Sequence, residues 1–240
     1  MWLPALLAVS IPLVHIPDSP RAGAAARRAS ALLAEPLTAL DAKVGSPVYL
    51  RIFKQEKELE LWVQPGGGGA WQLLKRYPIC NFSGALGPKT RQGDFQAPEG
   101  LYTIGPQQLN PWSQFHLSFN LGYPNRYEQA QGWTGSALMV HGHCVSIGCY
   151  AMSDAGIEQI YTLVAAAIAA GQAGVPVHAF PFRMSPAALE AQRGSPWWAF
   201  WSTLQPVYQA FEDHRHPPAV RISADGYRLR EASSPNPASR

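Results

Sequence analysis

The residues best suited to do chemistry lie together in the run Val140-His141-Gly142-His143-Cys144-Val145-Ser146-Ile147-Gly148-Cys149-Tyr150-Ala151-Met152. His141 stands eight residues before Cys149, which closes the sequence Ser146-Ile147-Gly148-Cys149. The thiolate is the reactive form of cysteine, and an ordinary thiol with a pKa of about 8.5 is mostly protonated at neutral pH. A nearby imidazole is therefore what would make Cys149 a nucleophile, with His141 as its general base. Gly148 allows a sharp turn and the close approach of a carbonyl, with the backbone N–H groups of Ile147, Gly148 and Cys149 facing the charge that develops on its oxygen. Ser146 can bond loop backbone or the imidazole.

The same residues admit blander readings. Most cysteines are small buried hydrophobes, but a loop setting between Ser146, Gly148 and an upstream His-Gly pair favours the nucleophile. His141, His143, Cys144 and Cys149 could supply nitrogen and sulfur ligands to zinc, yet all four fall within nine residues. Structural zinc sites draw ligand pairs from separated segments, so no metal and no cofactor is expected. His143 is read as turned to solvent or to a loop bond.

A nucleophile and its base need rigid supports. Ala137-Leu138-Met139-Val140 is an apolar run that reads as a buried strand, placing His141 at its end, where Gly142 lets the chain turn away. The return loop from His143 to Gly148 would then bring Cys149 back towards His141. Upstream, Val48, Leu50 and Ile52, then Leu59, Leu61 and Val63, alternate with polar residues across a charged turn, which predicts a β-hairpin, and Trp71 to Cys80 predicts a third strand. Residues 83–100 form a long segment rich in Gly, Pro and charge, of the kind that is more often functional than neutral. A second irregular stretch, Gly105 to Ser136, contains a strand-like Phe115 to Leu121. These two loops would wall a cleft for an extended peptide, with Lys89, Arg91 and Tyr123 as candidate substrate contacts. After the cysteine, Ser153 or Asp154 can cap a helix ending near Gly171. Phe180 and Phe182 suggest a strand, Trp197 to Phe211 an aromatic core stripe on a helix interrupted at Pro206, and Val220 to Arg230 a final strand.

These pieces together resemble the L,D-transpeptidase (YkuD-like) catalytic domain family, in which a His-Gly strand end precedes a Ser-His-Gly-Cys loop. The likeness covers roughly residues 45 to 230. Gly93-Asp94-Phe95-Gln96-Ala97-Pro98-Glu99-Gly100-Leu101-Tyr102 is similar to the family's Thr-Pro-x-Gly-x-Phe/Tyr segment. With Leu50-Arg51-Ile52-Phe53-Lys54, Leu59-Glu60-Leu61-Trp62 and His178-Ala179-Phe180-Pro181-Phe182-Arg183-Met184, the match is nearest to the YafK-like branch. The resemblance implies a mainly β fold, a β-sandwich or barrel with added α-helices, and an enzyme acting on peptidoglycan stem peptides through a cysteine acyl-enzyme. The branch suggests water as acceptor, giving a hydrolase that releases wall-linked material, with a wall-linked lipoprotein as a candidate partner. An amine acceptor, giving a crosslinking or protein-attaching transpeptidase, stays open. Two positions depart from the wider pattern: Ile147 replaces the family's histidine, and Ala151 replaces an arginine common two residues after the cysteine. Both departures also suit a catalytically silent wall-binding module, the rival reading.

Composition and termini set the remaining bounds. With 47% hydrophobic and 11% aromatic residues in 240, the chain can bury a substantial core. A net charge of +3 without a basic cluster argues against nucleic acid. Trp2 to Val14 has the length of a signal-peptide apolar region, too short to span a bilayer, although no Lys or Arg precedes it. The expected division is a signal peptide at 1–26, an N-terminal helix or linker at 27–45, the catalytic domain at 46–230 and a disordered tail at 231–240, in an exported, periplasmic protein with no integral membrane span. Three cysteines leave one unpaired in an oxidising compartment. If Cys149 stays free to react, Cys80 and Cys144 are the pair available for a disulfide.

Overall fold

A computed structural model describes residues 15–230. The whole of the expected leader's apolar run and the expected tail lie outside the described residues. The chain opens with helix α1 (Pro20–Ala39), whose N-cap Ser19 accepts a bond from the Ala22 N–H and whose first residue is a proline, both ordinary helix-start devices. This corrects the expected start at residue 27. Ala22, Ala25, Ala29, Leu33 and Leu37 recur at helical spacing and are buried, so the helix begins where its apolar stripe begins.

The strands are β1 (Val48–Phe53), β2 (Glu58–Val63), β3 (Gln72–Pro78), β4 (Asn81–Phe82), β5 (Gly100–Ile104), β6 (Leu109–Asn110), β7 (Ser118–Asn120), β8 (Met139–His141), β9 (Tyr150–Ala151), β10 (Val175–Phe180), β11 (Val220–Ser223) and β12 (Gly226–Leu229). The other helices are α2 (Arg126–Ala130), α3 (Asp154–Ala169), α4 (Pro186–Glu190) and α5 (Trp198–His214). One five-stranded sheet runs β3-β2-β1-β10-β5 and a second runs β4-β9-β8-β7-β6, with β1–β10 and β8–β9 parallel and the remaining pairs antiparallel. The expected single last strand is instead a separate hairpin of β11 and β12, because Gly226 at φ 121° turns the chain back on itself. Two sheets with helices added around them make up the expected fold, helices holding 31% and strands 23% of the described residues.

Alternation along β1 explains the layering. Val48, Leu50 and Ile52 face a core shared with the second sheet, α1 and α3, while Phe53 and Tyr49 face the other side, where α5 covers the sheet. Residues of both alternating sets are therefore buried, unlike a half-exposed strand. Arg51 shares the α5 side, bonded to Glu212 at 2.7 Å and set 3.6 Å from Glu60, its guanidinium near the rings of Phe53, Tyr208 and Phe211. α5 runs through Pro206 without interruption, its stripe of Phe200, Trp201, Leu204, Val207, Tyr208 and Phe211 lying in the core.

One buried ion pair ties down the segment that faces the cysteine. Lys54 lies 3.0 Å from Glu99, and both side chains are fully buried. The Lys54 ammonium also donates to the carbonyls of Gly87 and Ala97, while Glu99 accepts from the Gly87 N–H and the Trp201 indole. The long segment between β4 and β5 is thus pinned at both ends to the first sheet, with every charge paired as burial demands.

Candidate active site

Cys149 is placed by a short parallel pairing. β8 and β9 run side by side with Val140 opposite Tyr150 and His141 opposite Ala151, joined by the loop of residues 142–149. Cys149 lies next to Met139, whose backbone N–H points at its Sγ at 3.4 Å, and the thiol in turn donates to the Ala137 carbonyl at 3.7 Å. Cys149 is the one free cysteine among the described residues. It opens on a cavity of about 280 Å³ lined by Lys89, Gln92, Phe95, Leu138 and Ile147 among others. A roomier cavity between α1 and α3, about 410 Å³, is lined by neither cysteine nor histidine. Burial pushes the Cys149 thiol above its ordinary range, and the Met139 N–H and the Lys89 ammonium only partly offset this. The resting group is a neutral thiol.

His141 ends β8, buried at 2% exposure, its ring 4.7 Å from that of Phe115. Its Nδ1 faces the Gly142 carbonyl at 2.6 Å and must donate to it, which leaves Nε2 as the basic nitrogen. Burial lowers its pKa, the Gly142 carbonyl works the other way, and His143 adds to the lowering, so the ring is neutral at neutral pH. Cys149 stands diagonally across the pairing from His141, but no hydrogen bond joins them among the described residues. Gly142 is required by space and not by a turn: a Cβ there would sit 2.6 Å from Asp154 Oδ1 and 3.0 Å from the Phe115 carbonyl, and its φ is not positive.

The expected oxyanion site is filled in this state. Ser146 Oγ accepts from the Gly148 and Cys149 N–H groups at 3.2 and 2.9 Å and donates to the Cys149 carbonyl at 2.7 Å. Of the three expected donors, only the Ile147 N–H has no protein partner among the described residues. A serine bonding backbone two and three residues on is an ordinary local competitor for such groups, and of the two partners expected for Ser146 it takes the loop backbone. Gly148 adopts φ 137°, a conformation open to glycine, whereas His143 and Cys144 carry positive φ as side-chain-bearing residues, at 66° and 51°.

The remaining candidates separate. Lys89 lines the cavity, nearly buried, its ammonium 2.5 Å from Asp94. Against the burial that would raise it, Lys89 and the N–H groups of Arg91, Thr90 and Gln96 hold the Asp94 carboxyl at about 2. Tyr123 is buried and donates to the Lys89 carbonyl at 3.0 Å, so it supports the wall behind Lys89. Arg91 is exposed and contributes its backbone to Asp94. Ile147, 80% exposed, and Phe95, 59% exposed, give the cavity an apolar rim. Ala151 is fully buried opposite His141 and so lies outside the cavity lining. Cys80 and Cys144 are joined by a disulfide, which ties the nucleophile loop to the chain just before β4. With Cys144 in that bridge and His141 under Phe115, the four crowded ligands weighed for zinc are not assembled. Sequence reasoning missed Phe115, Lys54 and Glu99; the last two carry no local signal, since burial and a distant partner define them.

The model of the YkuD L,D-transpeptidase catalytic domain matches residues 47–178. A curated relative in Escherichia coli (strain K12), named "Putative L,D-transpeptidase YafK", is 48% identical over 179 residues, covering 75% of this chain and 72% of that protein. Among solved structures, the helical cell shape determining protein Pgp2 of Campylobacter jejuni is 18% identical at a TM-score of 0.45, covering 80% of each chain. Bd1075 of Bdellovibrio bacteriovorus is 19% identical at 0.40, covering 69% of this chain and 62% of that one. No described helix is long and apolar enough to cross a membrane. With the family model spanning more than half of its length and a relative of such identity along most of it, the chain belongs to the L,D-transpeptidase (YkuD) catalytic domain family, enzymes that act on peptidoglycan.

Proposed function

We propose that this protein is a periplasmic cysteine enzyme that cuts peptidoglycan stem peptides or releases material linked to them. The observation that carries the reading is the free thiol of Cys149 opening on a cleft whose other walls are Lys89, Phe95 and Ile147. In the reaction, His141 Nε2 takes the Cys149 proton as substrate enters, and the thiolate attacks a stem-peptide carbonyl. Ser146 turns aside so that the N–H groups of Gly148 and Cys149 join that of Ile147 on the oxyanion. Collapse breaks the C–N bond, the imidazolium gives its proton to the leaving amine, and a thioester remains on Cys149. Water then attacks with His141 again taking a proton, and a carboxylic acid leaves as the thiol is restored.

Water is the acceptor in this reading because Ile147 sets an exposed apolar side chain at the rim of the cavity, with no polar group of its own to seat an amine. The alternative, an amine acceptor, makes the same thioester and the same residues a transpeptidase; a silent binding module makes no thioester at all. Purified sacculi incubated with the protein, with and without excess D-amino acid, separate the three. Released linked components or cut stems, independent of the D-amino acid, are expected. New crosslinks or efficient D-amino-acid exchange would replace the hydrolase by the transpeptidase, and no change in sacculi with no acyl-enzyme by mass would leave the binding module.

A further inference from the structure

Outside the lining of the thiol cavity, three elements bring metal-binding side chains together. His116 comes from the turn before β7, His143 from the loop between β8 and β9, and Asp154 from the first residue of α3. One donor atom from each lies within 4.8 Å of the others, and His143 Nε2 is 3.9 Å from Asp154 Oδ2. The cluster is already partly organised. Asp154 Oδ1 accepts from the His143 N–H at 2.8 Å, leaving Oδ2 free to coordinate. His116 Nε2 lies 2.8 Å from Glu158 Oε1, one helical turn beyond Asp154, and Glu158 is itself held by Arg28. A histidine that donates one ring N–H to a carboxylate has its tautomer fixed and its other nitrogen free for a metal. The Arg21 guanidinium bonds the carbonyls of Ser113 and His116 and steadies the turn.

We propose that His116, His143 and Asp154 bind a zinc-class divalent cation, with Glu158 orienting His116 and water completing the coordination. Two imidazoles and one carboxylate suit zinc and its neighbours rather than magnesium or calcium, which favour all-oxygen shells. The ion acts as a clasp: it joins the Phe115–His116 turn, the nucleophile loop and the start of α3. The Phe115 ring lies tilted against that of His141, and His143 follows the glycine whose carbonyl holds His141 Nδ1, so the clasp fixes both supports of the candidate base.

The test is calorimetric titration of zinc into dialysed protein with its disulfide intact, alongside hydrogen exchange of the nucleophile loop. Binding of one zinc per chain is expected, with slower exchange at residues 142–146, and magnesium and calcium should give no response. His143→Ala and His116→Ala should each weaken binding by about a hundredfold or more and Glu158→Gln by about tenfold, while Cys149→Ser should bind as wild type. His143 is exposed, so its replacement leaves the fold in place, and the metal-free unfolding midpoint verifies this. No zinc binding by wild type, full binding by both histidine variants, loss of binding in Cys149→Ser, or an equal response to magnesium would each overturn the proposal.

Discussion

A neutral thiol and a neutral imidazole that share no hydrogen bond at rest set the behaviour of this site. Cys149→Ala should abolish turnover on sacculi with the unfolding midpoint kept; turnover within tenfold of wild type would remove Cys149 from the role of nucleophile. His141→Ala should lower turnover by about a hundredfold or more. Because no bond joins the two groups in the resting state, alkylation of Cys149 by a small reagent should change little in that variant, and a parallel fall would reveal a thiol already bonded to the base. The pH signs follow from burial. The raised thiol pKa keeps Cys149 protonated through neutrality, so resting alkylation should be slower than that of a model thiol at pH 7 and should climb only above about pH 8.5. The lowered His141 pKa keeps the base unprotonated further into acid, so the acid limb of kcat/KM should fall below the ordinary imidazole value of about 6.5.

At the scale of elements, the loops that wall the cleft are held by a few buried polar groups. Lys54→Met would strand the Glu99 carboxylate without its cation and should cost about 3–5 kcal/mol, read as a shift in urea midpoint, and should loosen the segment that carries Lys89. Glu128 offers a pH test of the same kind. Burial raises its pKa to about 7, against bonds from the Tyr102 hydroxyl and the Asn125 N–H that partly offset it. The folded chain therefore holds this proton more tightly than the unfolded chain. The associated stability is fully present below about pH 4.5 and is lost as pH rises towards 7. Glu128→Gln, which cannot ionise, should remove that loss, worth about 3 kcal/mol, so the variant should gain on wild type between pH 5 and 8 in thermal unfolding. A constant difference across that range would mean that Glu128 is already ionised in the fold.

For the molecule as a whole, the disulfide and the first helix are the long-range ties. Titration of the oxidised protein should find one free thiol and of the reduced protein three, and Cys80→Ser should expose Cys144 and cost about 2–4 kcal/mol. α1 packs along α3, with Ala22 and Ala25 in the core and Ser19 as its cap. A chain beginning at residue 27 loses all three and should unfold at lower temperature than one beginning at Asp18, by about 1 kcal/mol from the cap alone. Equal midpoints would show that the first turns of α1 contribute nothing.

The sequence alone determined the features that local pattern controls. The hairpin of β1 and β2 follows from period-two alternation, α3 from its Ser153 cap and apolar spacing, and the place of His141 at the end of a strand from the apolar run before it. Family membership could be read there too, because the motif around Cys149 and the segment from Gly93 to Tyr102 are contiguous. What only the tertiary structure decided depends on partners far apart in the chain. The start of α1 at Pro20 rests on α3, and Lys54 is meaningful only against Glu99, Gly87 and Ala97. The strand expected at Val220–Arg230 became a hairpin that packs on α5. The filled donor site depends on which way the short side chain of Ser146 turns, and the thiol's resting state on how deeply Cys149 is enclosed. Periodicity and spacing report the face a residue presents; hydrogen-bond direction and desolvation are set by what the rest of the chain folds against it.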